Sequence, residues 1–161
     1  MTGKSCMWNE KEEPYIKKWV DYSNRYGVGY LLTNTAVGVY FNDYSKMILD
    51  PNGNNFEYFE RTLDKKELRY NHSLKSYPEQ LKKKVTLLMH FSSFLTGKKD
   101  VENYPKKPLM FPKVLDEPTY VRKMLKTKHA VLFRLSNKVV QVIFEDQSEL
   151  TMSSVSKKVS Y

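Results

Sequence analysis

The chain has 161 residues, 40% apolar and 14% aromatic, which is enough for one domain or two small ones. Its formal net charge of +9 points to an anionic partner such as a phosphoprotein, nucleic acid or acidic lipid surface, and says little about fold. The lone Cys6 excludes an intramolecular disulfide and a Cys-rich metal motif, no apolar run is long enough to span a bilayer, and the N-terminus lacks the apolar core of a signal peptide.

In chain order, residues 1–13 read as a disordered polar arm. Strands are then predicted at Tyr15–Tyr22, Tyr30–Thr33, Val37–Phe41, Met47–Leu49, Phe56–Glu60 and Glu67–Tyr70. Tyr26-Gly27-Val28-Gly29 reads as a bend, and Asp50-Pro51-Asn52-Gly53 as a turn. The period then changes. Ser76 reads as a helix N-cap, with Pro78 and Glu79 in the first turn. Leu81, Val85, Leu88 and Phe91 recur on one helical face, Lys82, Lys83 and Lys84 fall mostly on the other, and Gly97 ends the helix. Residues 98–118 form a basic, Pro-rich linker. Strands resume at Tyr120–Lys126, His129–Leu135, Val139–Phe144 and Ser148–Met152, and a fifth begins near Lys157.

The chain contains itself twice. Leu32–Ser45 lies without gaps on Leu135–Ser148. Leu32/Leu135, Asn34/Asn137, Val37/Val140, Val39/Val142, Phe41/Phe144, Asp43/Asp146 and Ser45/Ser148 are identical at one constant offset of 103. A period this long implies two related lobes rather than a solenoid. The second copy stops at Tyr161, the counterpart of Tyr58. It therefore lacks a last strand and a helix, and a truncated chain is favoured over a lobe that borrows those elements. An uncovered sheet face then favours dimerisation or aggregation.

Trp19-Val20-Asp21-Tyr22-Ser23, then Tyr26-Gly27-Val28-Gly29-Tyr30, then Val37-Gly38-Val39-Tyr40-Phe41-Asn42-Asp43 resemble the first polo box of a polo-like serine/threonine protein kinase. Val85–Phe91 resembles its helix. Tyr120-Val121-Arg122 and Leu135-Ser136-Asn137, with Val140-Gln141-Val142, resemble the start of a second box. The resemblance covers residues 14–161. It implies an α+β fold of two boxes, each an antiparallel sheet of about six strands with one helix packed on it, the second box incomplete. The expected domains are polo box 1 at 14–97 and the N-terminal part of polo box 2 at 119–161.

The resemblance also implies a phosphoserine- or phosphothreonine-peptide groove between the boxes. Trp19 would pack on the peptide, Asp21 would lie beside it on the same strand, and Lys126 would supply a cation from the second box. The family grips phosphate with the His and Lys of an Asp-His-Thr-Lys-Leu motif. This chain has Asp146-Gln147-Ser148-Glu149-Leu150. Gln147 still offers a hydrogen bond but no charge, and Glu149 puts an anion where a cation belongs. From the residues alone, Trp19 is as well read as a core aromatic, Lys126 as a solvated lysine, and Gln147 and Glu149 as surface strand-edge residues. Strand alternation puts Val20 and Tyr22 on the opposite face, near Phe91 and Phe94.

No enzyme pattern emerges from the sequence: it has no Gly-rich phosphate loop, kinase catalytic-loop triplet or Asp-Phe-Gly. His72, His90 and His129 are scattered, and no metal or cofactor is expected. ATP and magnesium would belong to a kinase domain outside this chain. The expected partners are phosphorylated peptides or scaffold proteins, with the parent's own kinase domain and a second copy as further partners. The expected location is cytoplasm and nucleus, at centrosome, spindle or kinetochore. Two other readings stand beside this one. One is a phosphate-independent scaffold or dimerisation module. The other, less favoured, is a basic nucleic-acid-binding β domain.

Overall fold

Branched and aromatic residues between turn residues give a continuous antiparallel meander in each half of the chain. The computed structural model describes residues 14–97, residues 118–153 and the backbone of 158–160. The arm read at 1–13 lies outside these residues, as does the linker except for Pro118.

The first sheet runs in chain order: β1 (Ile16–Tyr22), β2 (Gly27–Leu32), β3 (Val37–Phe41), β4 (Lys46–Leu49), β5 (Asn55–Arg61) and β6 (Glu67–Ser73). Helix α1 (Lys82–Thr96) follows. The second sheet comprises β7 (Val121–Lys126), β8 (Ala130–Leu135), β9 (Val139–Phe144), β10 (Glu149–Ser153) and β11 (Lys158–Ser160), again in chain order. Each box is thus an antiparallel sheet, of six and five strands among the described residues, and α1 packs on the first.

The internal repeat has a backbone cause. Asn34 and Asn137 accept the backbone N–H groups of Ala36 and Val139 at 3.0 and 3.1 Å. Asp43 and Asp146 accept those of Ser45 and Ser148 at 3.0 and 2.9 Å. Short polar side chains close these tight turns, which is why they recur at the same offset. The left-handed residues recur with them: Thr35 and Lys138 at φ 70° and 67°, Tyr44 and Gln147 at 68° and 73°.

The first strands follow a different offset. Ile16 lies opposite Leu32 and Val121 opposite Leu135, and each strand is irregular just after that residue. Matched through these partners, Ile16 corresponds to Val121, Trp19 to Met124, and Asp21 to Lys126.

The molecule has three layers. On one face of the first sheet Val37, Val39, Phe41, Met47 and Leu49 pack against Val85, Leu88, Phe91 and Leu95 of α1. On the other face Val28, Tyr30, Leu32, Ile48 and Phe59 pack against Val131, Phe133, Leu135, Val139 and Ile143 of the second sheet. The outer face of the second sheet carries the counterparts of the helix-covered residues. Val140 and Val142 are half-buried there, while Leu125 and Met152 are exposed.

Three local expectations are corrected. Ser76 is not the N-cap. Pro78 is extended at φ −60°, ψ 138°, a single 3-10 turn at Glu79–Leu81 intervenes, and Leu81 caps α1 with no side-chain bond. Gly29 lies within β2 and not in a bend. A Cβ there would come within 2.3 Å of the Phe91 ring, so glycine is what lets the helix sit down on the strand. Lys84 leaves the polar helix face and reaches the β3–β4 turn, bonding Asp43 and Ser45 at 2.7 Å each.

Candidate functional site

In an antiparallel pair, residues directly opposite share a face. Trp19 is opposite Tyr30, Asp21 opposite Val28, Lys126 opposite Val131 and Glu149 opposite Ile143. All four therefore lie on the faces by which the two sheets meet. The Trp19 ring meets Phe133 edge-on, with centroids 5.4 Å apart. Trp19 is half-buried at the margin of the inter-sheet core. Val20 and Tyr22 point the other way as expected, Tyr22 with its ring 5.9 Å from Phe91.

Beside Trp19, Lys126 Nζ bonds Asp21 Oδ2 at 2.6 Å. Asp21 Oδ1 also accepts the Ser23 N–H at 2.8 Å. Partial burial pulls the Asp21 pKa upward, but the bonds from Lys126 and Ser23 outweigh it and leave the carboxyl below its ordinary value. Lys126, for which the resemblance implies a groove role, thus lies at the seam and already holds a carboxylate.

The other two candidates are placed differently. Gln147 sits exposed at the left-handed position of the β9–β10 turn, its N–H donating to Phe144 O at 2.9 Å. Glu149 is exposed at the start of β10, an interior strand because β11 pairs on its far side. Neither side chain bonds a described residue, so the structure brings together Trp19, Asp21 and Lys126, and does not join Gln147 or Glu149 to them.

Sequence reasoning missed the residues that fix the seam. Gln141 is fully buried and clasps both backbone groups of Ile16: Oε1 accepts the N–H at 2.9 Å and Nε2 donates to the carbonyl at 2.8 Å. Tyr30, also fully buried, accepts the N–H of Val121 on its hydroxyl at 2.8 Å. Burial pushes the phenol pKa well above its usual value, so it stays neutral. Each box thus satisfies the first-strand amide of the other. Asn137 adds a bond to Pro14 O at 2.9 Å, and Tyr120 stacks on Phe59 at 4.1 Å. A polar Gln141 in an otherwise apolar strand, opposite Gly38 in the repeat, was the available signal.

The first box also carries an apolar cavity of about 610 Å³ beside α1, lined by Tyr22, Tyr26, Leu87, Phe91 and Phe94 among others. Among the described residues no cluster of three or more His, Cys, Asp or Glu is arranged to hold a metal.

Two related sheets clamped across an aromatic and ionic seam define a duplicated two-box module. A family profile described as the POLO box duplicated region matches residues 24–85 and 127–161, more than half of the chain. The chain is similar to the probable serine/threonine-protein kinase CCRP1 of Zea mays, 41% identical over 150 residues, which are 92% of this chain and 24% of that protein. It is 32% identical over 162 residues to the serine/threonine-protein kinase PLK1 of Xenopus laevis, covering 94% of this chain and 26% of that protein. Its fold matches the polo-box domain of budding yeast Cdc5 in complex with an Spc72 phosphopeptide, with a TM-score of 0.73, 23% identity, and coverage of 92% of this chain and 54% of that one. It likewise matches Cdc5 in complex with the Dbf4 polo-interacting region, with a TM-score of 0.71, 20% identity, and coverage of 93% and 59%. The chain belongs to the polo-box family. It spans about a quarter of the length of these curated kinase relatives.

Proposed function

We propose that this chain is the partner-binding module of a polo-like serine/threonine kinase, and that it captures peptides at the seam between the boxes with weak dependence on phosphate. The observation that carries the reading is the Asp21–Lys126 pair beside Trp19. Trp19 offers a flat, half-exposed aromatic surface for a peptide side chain. Lys126 is a cation at the seam beside Trp19, and a phosphate must compete with Asp21 for it. Because Lys126 is more than half exposed, solvent screens the pair to about 0–1 kcal/mol, and the carboxylate offsets a comparable part of what the lysine gains from the phosphate. Glu149 lies three strands away from Lys126 across the second sheet and Gln147 in an exposed turn, so neither supplies a cation beside Lys126.

The Spc72 phosphopeptide bound to the Cdc5 polo-box domain supports peptide capture by this fold. By the same reading the parent kinase, with ATP and magnesium at its own catalytic domain, is brought to phosphorylated scaffolds at centrosome, spindle or kinetochore during division. Fluorescence anisotropy with a matched Ser-phosphoThr and Ser-Thr peptide pair, at two salt concentrations, tests it. We expect both to bind, with a small preference for the phosphorylated form. Absence of binding by either peptide would overturn the reading.

A second reading is favoured by one observation: the outer face of the second sheet exposes Leu125 and Met152 beside half-buried Val140 and Val142. A scaffold or dimerisation role would use that face and ignore phosphate. Size-exclusion with light scattering separates the two, since a clean monomer at high concentration excludes self-association.

A further inference from the structure

A second cavity, of about 740 Å³, opens between the β1–β2 turn, the β3–β4 turn and the first turn of α1, and is separate from the apolar one beside Phe94. Hydrogen bonds fix its rim. The N–H groups of Arg25 and Tyr26 donate to Tyr22 O at 3.0 and 2.8 Å. Asn42 ties that turn to the end of β3, its N–H donating to Tyr26 O at 2.9 Å and its Nδ2 to Ser23 O at 2.8 Å. The backbone that carries Arg25 is thereby held against the sheet.

Arg25, Lys82, Lys83 and Lys84 line this cavity against one carboxylate, Asp43. Lys84 bonds Asp43 and Ser45 at 2.7 Å each and Tyr58 at 3.2 Å. Burial raises the Asp43 pKa, but bonds from Lys84 and Ser45 outweigh it, so the carboxylate stays ionised and its charge is met by Lys84. Arg25, Lys82 and Lys83 are exposed, and none of them enters an ion pair among the described residues. Uncompensated cations from two separate elements therefore share one concavity.

We propose that this cavity binds a multiply phosphorylated small molecule through Arg25, Lys82 and Lys83. Its volume lies within the about 300–1,000 Å³ of small-molecule sites, and its open mouth suits a hydrated, highly charged ligand. Arg25 presents a planar fork that matches phosphate oxygens, and the two lysines add compact point charges. A single phosphate carries at most two charges and leaves one of these cations unmet, whereas several phosphates on one scaffold meet them all. The cations converge on one cavity, whereas a nucleic-acid backbone is tracked by a stripe of them. The site stands apart from peptide capture at the seam, where Lys126 is held by Asp21.

The test titrates the isotope-labelled full chain with myo-inositol hexakisphosphate, with ATP, and with sodium sulfate at matched ionic strength, reading backbone amide shifts by NMR and affinity by calorimetry. We expect at least one of the two polyphosphates to shift the amides of Arg25, Asn42, Lys82 and Lys83, and to bind at least about tenfold tighter than sulfate. Which of the two binds tighter tells a phosphorylated polyol from a nucleotide. Lys82→Glu with Lys83→Glu weakens that binding at least about tenfold. Lys82→Arg with Lys83→Arg retains it, and Lys126→Ala leaves it unchanged. Equal binding of sulfate, shifts centred on Lys123, Lys126 and Lys128, undiminished affinity in the double Glu variant, loss of binding in the double Arg variant, or tighter binding of a short oligothymidylate at the same amides would each overturn the proposal.

Discussion

Asp21 and Lys126 occupy equivalent positions in the first strands of the two boxes, and they are bonded to each other at 2.6 Å. The pair therefore sits where the pseudo-symmetry of the duplication brings the two first strands together. One position has become an acid and the other a base, which turns a self-facing contact into an ion pair. With Lys126 more than half exposed, the pair contributes little to stability, about 0–1 kcal/mol. Its larger effect is on what Lys126 is free to hold.

Asp21→Asn should therefore strengthen phosphopeptide binding, by about three- to tenfold at low salt, while leaving the unphosphorylated peptide unchanged. Lys126→Ala should erase the phosphate preference. Anisotropy titrations of both peptides on both variants check this. If Asp21→Asn weakened the phosphorylated form, the carboxylate would be positioning Lys126 for the ligand rather than competing with it.

The two backbone clasps at the seam carry stability. Tyr30→Phe leaves the Val121 amide buried without its acceptor, at a cost of about 1–3 kcal/mol. Gln141→Ala leaves both backbone groups of Ile16 unpaired and opens a cavity, and should cost more than Tyr30→Phe does. Urea unfolding followed by Trp fluorescence reads both. Trp19 against Phe133 reports loss of the seam itself.

Most strands were legible because alternating apolar residues and turn residues are local signals, and the duplication was legible because Asn34, Asp43 and Ser45 build turns that recur. The helix face was legible from its period. What a single strand pattern does not show is which residue crosses to the other box. Tyr30 and Phe133 look alike as strand aromatics, and only the structure shows that the hydroxyl of Tyr30 accepts the Val121 N–H across the seam. The helical period puts Lys84 mostly on the face opposite the apolar one, yet its four-carbon stem carries the ammonium inward, over the Phe41 and Tyr58 rings at 5.2 Å each. Trp19 and Lys126 were placed by family resemblance, and the partner that ties up Lys126 lies 105 residues away in the chain.

The ionic contacts set a pH window. Burial raises the Asp21 and Asp43 pKa values, but hydrogen bonds from Lys126, Lys84 and serines outweigh it, so both are lower in the fold than their usual value near 4. A lowered carboxyl pKa stabilises the fold fully above the unfolded value, and that stability is lost as pH falls through the folded one. Burial lowers the Lys84 pKa, but bonds to Asp43 and Tyr58 raise it overall, so its contribution is complete below about pH 10 and lost as pH rises through the folded value. Thermal melts should show a plateau between about pH 5 and 9, falling at both ends. Asp43→Asn should flatten both limbs, and Asp21→Asn only the acid one.

The duplication offers a sharper experiment on how the seam is built. Gln141 of the second box corresponds to Gly38 of the first, and Phe133 to Tyr30. A Cβ at Gly38 would lie 2.2 Å from the Tyr30 ring, so the glycine makes room for the phenol. The two boxes thus solve one problem, an acceptor for the other box's first-strand amide, with either a Tyr over a Gly or a Phe beside a Gln. Tyr30→Phe loses the acceptor, and Gly38→Gln overpacks against the phenol, at about 1–3 kcal/mol or more. Together they install the second box's solution in the first. We expect the double variant to be more stable than the sum of the single losses by at least about 1 kcal/mol in a double-mutant cycle. Strict additivity would show that the Gln141 and Tyr30 clasps are not interchangeable, and that the resemblance of the two boxes ends at their backbones.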